Sequence, residues 1–121
     1  MGVLLRYLEA ARELAESCER CLREGDTRLA AVAAALSISA SAREALLKAG
    51  ASEEDLRYAF TLNLPAILDQ WGVKLSQELK SRTIRALELE RRVYTEGYKP
   101  TREEAEEALA AAKALLEAVG E

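Results

Sequence analysis

A chain of 121 residues, half of them apolar and 31% charged, can build one hydrophobic core but not two, and that balance excludes disorder. The net charge is −4, and histidine is absent, which excludes every mechanism needing an imidazole base or a histidine metal ligand at neutral pH. Two prolines and six glycines stand among abundant Ala, Leu, Glu and Arg, so the expectation is a single all-α domain over residues 1–121.

The spacing predicts a first helix over Gly2–Arg23, with Leu4, Leu8, Ala11, Ala15, Cys18 and Leu22 on one stripe and Arg6, Glu9, Glu13, Glu16 and Arg20 opposite. Gly25 ends it and Asp26 caps the next helix, Thr27–Lys48. That second helix is apolar all round over its first half, with Ala or Ser filling almost everything around Leu36 and Ile38. It therefore belongs at the centre of a bundle or in a subunit interface. Its uncharged run, Leu29–Ala42, is 14 residues, short of the roughly 20 that span a bilayer. No membrane association is expected. The first residues, with an early Glu9, lack a signal-peptide architecture, so the expected location is the cytoplasm.

A third helix opens on the S-x-x-[DE] pattern Ser52–Asp55 and continues through Leu56, Phe60, Leu64, Ile67 and Trp71, closing at Gly72. Pro65 removes a hydrogen bond and crowds the Thr61 carbonyl, which predicts a kink or split near Asn63. The fourth helix is expected over Val73–Glu96, with Leu75, Leu79, Ala86, Leu87, Val93 and Tyr94 inward. The fifth is expected over Arg102–Val119. Between them Gly97 supplies a residue tolerant of positive φ, Pro100 stops the helix, and Thr101–Glu104 is a T-x-x-E capping box. The architecture expected is an up-and-down bundle of four long helices plus one kinked or split short helix. One Asn and two Gln amid many Glu and Arg give a thermophile-like composition.

Cys18 and Cys21 form C-x-x-C inside a helix, with no second pair, so a closed zinc site cannot be built and buried unreactive thiols are the expected state; a redox pair is the alternative. Residues 74–102 carry eight Lys/Arg against four Asp/Glu, a local +4. That excess suits a nucleic-acid footprint, whereas the alternation Lys74, Glu78, Arg82, Arg85, Glu88, Arg92 is that of a solvated, ion-paired face. Arg91, Tyr94 and Tyr98 fall on the face of Leu87, which points Arg91 at the bundle or a partner and leaves Arg92, flanked by Glu88 and Glu96, toward water. Arg91, Arg92, Tyr94 and Tyr98 are the candidate binding residues, either a structural stack or a phosphate grip. No catalytic constellation, metal site or cofactor motif is present, and Glu103, Glu104, Glu106 and Glu107 suit the helix dipole.

The run Arg91–Val119, with Arg-Arg-Val-Tyr-Thr-Glu-Gly-Tyr-Lys-Pro-Thr-Arg, resembles the closing half of a HEPN-type helical domain. Ala45–Gly50 (Ala-Leu-Leu-Lys-Ala-Gly) resembles the end of that fold's second helix. The resemblance implies a bacterial or archaeal bundle of four to five helices, a homodimer, and often a partner nucleotidyltransferase in a toxin-antitoxin-like system. Many such domains are ribonucleases with an R-x(4-6)-H motif. Here Arg91 or Arg92 matches the Arg, and the histidine position falls within Glu96–Lys99, with Tyr98 its nearest occupant. A tyrosine of pKa near ~10 is a poor base at neutral pH. The expected function is therefore a non-catalytic, dimeric bundle binding a partner protein, nucleotide or RNA. The alternatives are a weak metal-independent ribonuclease using Arg91, Arg92 and Tyr98, and a pure oligomerisation module.

Overall fold

The computed structural model describes residues 2–57 and 64–120, with side chains over 7–56 and 64–120. Six helices occur among the described residues: α1 (Gly2–Arg23), α2 (Thr27–Lys48), α3 (Glu53–Arg57), α4 (Leu64–Gln70), α5 (Gln77–Glu96) and α6 (Arg102–Gly120). The all-α reading holds.

Local chemistry sets most of the boundaries. At the first corner Gly25 takes φ +80° and the Asp26 N–H reaches back to the Cys21 carbonyl at 2.8 Å, while Asp26 Oδ1 accepts from the Leu29 N–H at 3.1 Å. At α3 the exchange is reciprocal: Ser52 Oγ accepts from the Asp55 N–H at 3.1 Å and Asp55 Oδ2 accepts from the Ser52 N–H at 2.8 Å. Thr101 and Glu104 repeat it at α6, at 3.1 and 2.9 Å.

Two expectations need correction. α5 starts at Gln77, four residues later than expected: Val73–Ser76 is a non-helical strap, and Ser76 (φ −63°, ψ 154°) caps the helix by accepting from the Leu79 N–H at 3.1 Å. Val73 and Leu75 pack on the core from this strap, two residues apart, as extended backbone allows. Trp71 does not continue an inward stripe; it lies in the turn closed by Gly72 and is 38% exposed. The expected kink or break near Asn63 and the placement of Phe60 lie outside the described residues, while Pro65 is buried in α4.

Interhelix bonds fix the directions of the long helices. Inside the α1–α2 hairpin, buried Ser37 Oγ donates to the Ala11 carbonyl at 2.7 Å. Arg102 Nη1, at the start of α6, donates to the Leu22 carbonyl at the end of α1 at 2.9 Å, and Lys48 Nζ, at the end of α2, donates to the Val119 carbonyl at 2.8 Å. α6 therefore runs opposite to α1 and in the same direction as α2. Arg28 Nη2 donates to the Gly97 carbonyl at 3.0 Å, which sets α5 opposite to α2.

α2 is the shared wall. It touches each of the other five helices, whereas α1 and α5 make no contact among the described residues. Ala30, Ala31, Ala34, Ala35, Ala42 and Ile38 are wholly buried, and side chains this small let α1 and α6 approach α2 closely from different sides. By length and composition α2 could cross a membrane, yet 72% of its most apolar window is buried inside the protein, as in a core helix. α1 contributes Leu8, Ala11, Ala15, Cys18 and Leu22 to the core, and α6 contributes Ala105, Ala108, Ala111, Ala112, Leu115 and Val119.

Candidate functional site: the α5–α6 corner and groove

α5 ends where Gly97 adopts the left-handed conformation (φ 64°, ψ 21°), and the Tyr98 N–H still reaches the Arg92 carbonyl at 3.3 Å. Beyond that point Tyr98 no longer follows the helical wheel. Its ring swings under the Arg92 guanidinium, 3.8 Å from carbon to ring centroid, while Arg92 Nε stands 3.5 Å from Glu96 Oε1. Tyr98 OH donates to Glu104 Oε1 at 2.5 Å, the oxygen that also accepts the Thr101 N–H. One carboxylate thus closes the corner and caps α6.

The candidates divide differently from the sequence expectation. Arg92 and Tyr98 are brought together, whereas Arg91, expected to face the bundle, is exposed and makes no ion pair among the described residues. For Tyr98 the reason is the turn: a wheel offset counted to Tyr98 assumes a helix that continues past Glu96, where α5 stops. Tyr94, also expected inward, is 63% exposed; its hydroxyl donates to Glu90 Oε2 at 3.1 Å, one turn back, which lays the ring along the helix surface. Burial, opposed by that Tyr94 hydrogen bond, raises the Glu90 pKa.

The corner's electrostatics disfavour base chemistry. The hydrogen bond to Glu104 raises the Tyr98 pKa, with the nearby Arg92 opposing, so the phenol is held as a donor. The same bond, then the Thr101 N–H, lowers the Glu104 pKa. Tyr98, neutral and already donating to Glu104, is therefore not a base near neutral pH.

Next to this corner α5 and α6 leave a groove of about 370 Å³, with Arg82, Arg85, Leu89 and Arg92 on one side and Glu107 and Ala108 on the other. Glu88 and Glu104 also line it. Its floor is apolar because Leu89 and Ala108 are buried, and it is open because Ala108 and Ala110 are too small to fill it. Two of its arginines are already paired, Arg82 with Glu78 at 2.8 Å and Arg92 with Glu96. Among the described residues Arg85, Glu88 and Glu107 make no ion pair. The alternating strip therefore lines the groove at both Arg82 and Arg85, ion-paired at the first and without an ion pair at the second.

Sequence reasoning missed Arg85 and Glu107 as site residues. The available signal was the spacing Arg82, Arg85, Leu89, Arg92, which repeats on one helical face. Cys18 and Cys21 are free thiols outside this region; burial, and then Cys21 nearby, pushes Cys18 up to about 11. No family model, no curated protein and no solved structure matches the chain.

Proposed function

We propose that the protein is a non-catalytic, homodimeric, up-and-down helical bundle of HEPN-like layout that binds a helical segment of a partner protein in its α5–α6 groove. The observation that carries this reading is the sign of the two rims. The α5 rim presents Arg82, Arg85 and Arg92 against the single acid Glu88, the α6 rim presents Glu104 and Glu107, and apolar Leu89 and Ala108 lie between them. A helix with an apolar stripe, acids along one flank and bases along the other would satisfy both rims in a single orientation. A nucleotidyltransferase of a toxin-antitoxin-like pair is one class of protein that could supply it.

RNA or a nucleotide fits less well. With Arg82 and Arg92 neutralised, the side chains left without ion pairs are one guanidinium, Arg85, and two carboxylates, Glu88 and Glu107. A polyanion gains little from such a lining. The ribonuclease alternative also needs a base, and Tyr98 is committed to Glu104.

The test uses two synthetic amphipathic helical peptides with a Leu stripe, one with complementary flanks and one with the flanks exchanged, and a single-stranded RNA oligonucleotide as the third probe. Fluorescence anisotropy should show the complementary peptide binding more tightly than its exchanged partner, with the preference reversing in the Arg85→Glu/Glu107→Lys double variant. Equal binding of both peptides, or RNA binding that falls steeply with salt and is lost in Arg85→Ala, overturns the reading. RNA cleavage abolished by Arg92→Ala and Tyr98→Phe would overturn its non-catalytic part.

A further inference from the structure

α2 buries most of its circumference but leaves one strip uncovered. Leu29 is 56% exposed, Leu36 is 43% exposed, and Val32 between them is half-buried. These are large apolar side chains on one face of the helix, since residues three, four and seven apart coincide on a helical wheel. The Arg28–Gly97 bond ties the end of α5 to the first turn of α2, and Tyr94, in the last turn of α5, is 63% exposed. Tyr94 lies about 200° around α5 from the groove-lining Arg92, away from the α6 side.

We infer that this face, Leu29, Val32, Leu36 and Tyr94, is where a second copy of the chain docks, with the two α2 helices antiparallel across a two-fold axis near Val32 and Ala33. The inference rests on the dimer in the proposed function and names its surface. Two properties select a second copy as occupant. The segment Leu29–Leu36 reads Leu-Ala-Ala-Val-Ala-Ala-Ala-Leu, almost the same in both directions about a midpoint between Val32 and Ala33. An isologous interface requires that kind of self-match, because each residue i that meets j is repeated as j meeting i. Leu29 then packs beside Leu36 of the partner subunit, and the small residues between let the backbones close.

The second property is charge. No charged residue occurs between Leu29 and Ala42, so a copy turned to face itself brings no like charges together at the axis. Antiparallel α2 helices also oppose their dipoles favourably. The α5–α6 groove is a concave channel lined by charged side chains, whereas this strip of α2 is uncharged, which separates the two surfaces. Tyr94 adds an exposed aromatic ring at the end of α5, a residue type enriched in interfaces.

Sedimentation equilibrium at micromolar concentration reads the dimer, and Leu36→Glu and Leu29→Lys test its surface. Both positions are partly exposed, and circular dichroism is the check that each variant folds. Each should raise the dissociation constant about tenfold or more. A geometric test runs in a Cys21→Ser background. Val32→Cys should cross-link between copies on mild oxidation, whereas Ser39→Cys should not, because the antiparallel register holds the two copies of position 39 about 20 Å apart. A monomeric wild-type chain would sink both this inference and the proposed dimer. A wild-type dimer that folded Leu36→Glu and Leu29→Lys variants leave intact would overturn this surface and spare the dimer. Cross-linking at Ser39 as efficient as at Val32 would overturn the antiparallel register.

Discussion

Arg28 and Arg102 make reciprocal bonds: each stands in the first turn of the second helix of its hairpin and donates to a main-chain carbonyl at the end of the first helix of the other hairpin. Arg28 takes Gly97 after α5 at 3.0 Å, and Arg102 takes Leu22 in α1 at 2.9 Å. Both corners spell Glu-Gly and then Thr-Arg, as Glu24-Gly25-Asp26-Thr27-Arg28 and Glu96-Gly97-Tyr98-Lys99-Pro100-Thr101-Arg102. The carbonyls at a helix end lack intrahelical donors, and a guanidinium also complements the negative end of the dipole.

Removing either arginine should loosen the junction between hairpins. Arg102→Ala is expected to cost about 1–2 kcal/mol and Arg28→Ala about 0.5–1 kcal/mol, the former more because its bond is partly buried. Urea denaturation measures both. Equal or reversed costs would show that exposure does not set the strength of these ties.

Tyr98→Phe keeps the ring under Arg92 and deletes the bond to Glu104. Because Glu104 is depressed in the folded state, its ionisation stabilises the protein above the unfolded glutamate pKa, and that contribution is lost as pH falls through the folded value. The variant should be less stable at pH 7 and show a shallower acid limb in a plot of unfolding free energy against pH. An unchanged acid limb would mean that the Thr101 N–H alone sets the Glu104 titration.

Glu44 has the opposite sign. It is only 2% exposed, Lys48 Nζ stands 3.8 Å from Oε2, and Oε1 has no hydrogen-bond partner. Burial raises its pKa and Lys48 only partly opposes. The folded state then binds the proton more tightly than the unfolded one, so stability declines as pH rises from the unfolded glutamate value through the raised one. Glu44→Gln should raise the melting temperature at pH 7 and make no such gain below about pH 4. Calorimetry at both pH values is the check, and a loss at pH 7 would show that the Lys48 pair outweighs the burial.

The two thiols should react at very different rates. Cys18 is wholly buried with a pKa of about 11, whereas Cys21 is partly exposed and raised less far. Iodoacetamide at pH 8 should modify Cys21 first and reach Cys18 only at the rate of opening of the α1–α2 hairpin. Matched rates in mass spectrometry would contradict the burial of Cys18.

Where one residue type carries the instruction, the chain was readable in advance. Gly25 with Asp26, Gly97 with Pro100, and Thr101 with Glu104 each act within a few residues, so the limits of α1 and α2 and the start of α6 follow from local rules. The α5 start was hidden because Val73 and Leu75 are apolar enough to extend a helical stripe, and the Ser76 cap lies behind them. Arg92 faces water and pairs with Glu96 as its neighbours implied, but the Tyr98 ring beneath it was not legible, because a wheel cannot follow the chain around Gly97. The groove was invisible for a different reason: it exists because Ala108 and Ala110 on α6 leave room opposite Arg85 on α5, and no single segment contains both halves.

The crowding of alanines along α2 implies an unusual mutational economy. Where a larger helix would be sensitive to polarity, α2 is sensitive to bulk: Ser37 and Ser41 sit wholly buried among the alanines, so a hydroxyl fits where an added methyl group would push α1 or α6 outward. Exchange between Ala and Ser should cost least where the hydroxyl finds a carbonyl, as Ser37 does at Ala11, Gly should cost up to about 1 kcal/mol of helix stability, and drift toward Val or Leu should be purged. A lineage of such chains would keep its shape while its hydropathy wandered, and the quantity inherited along α2 would be a volume.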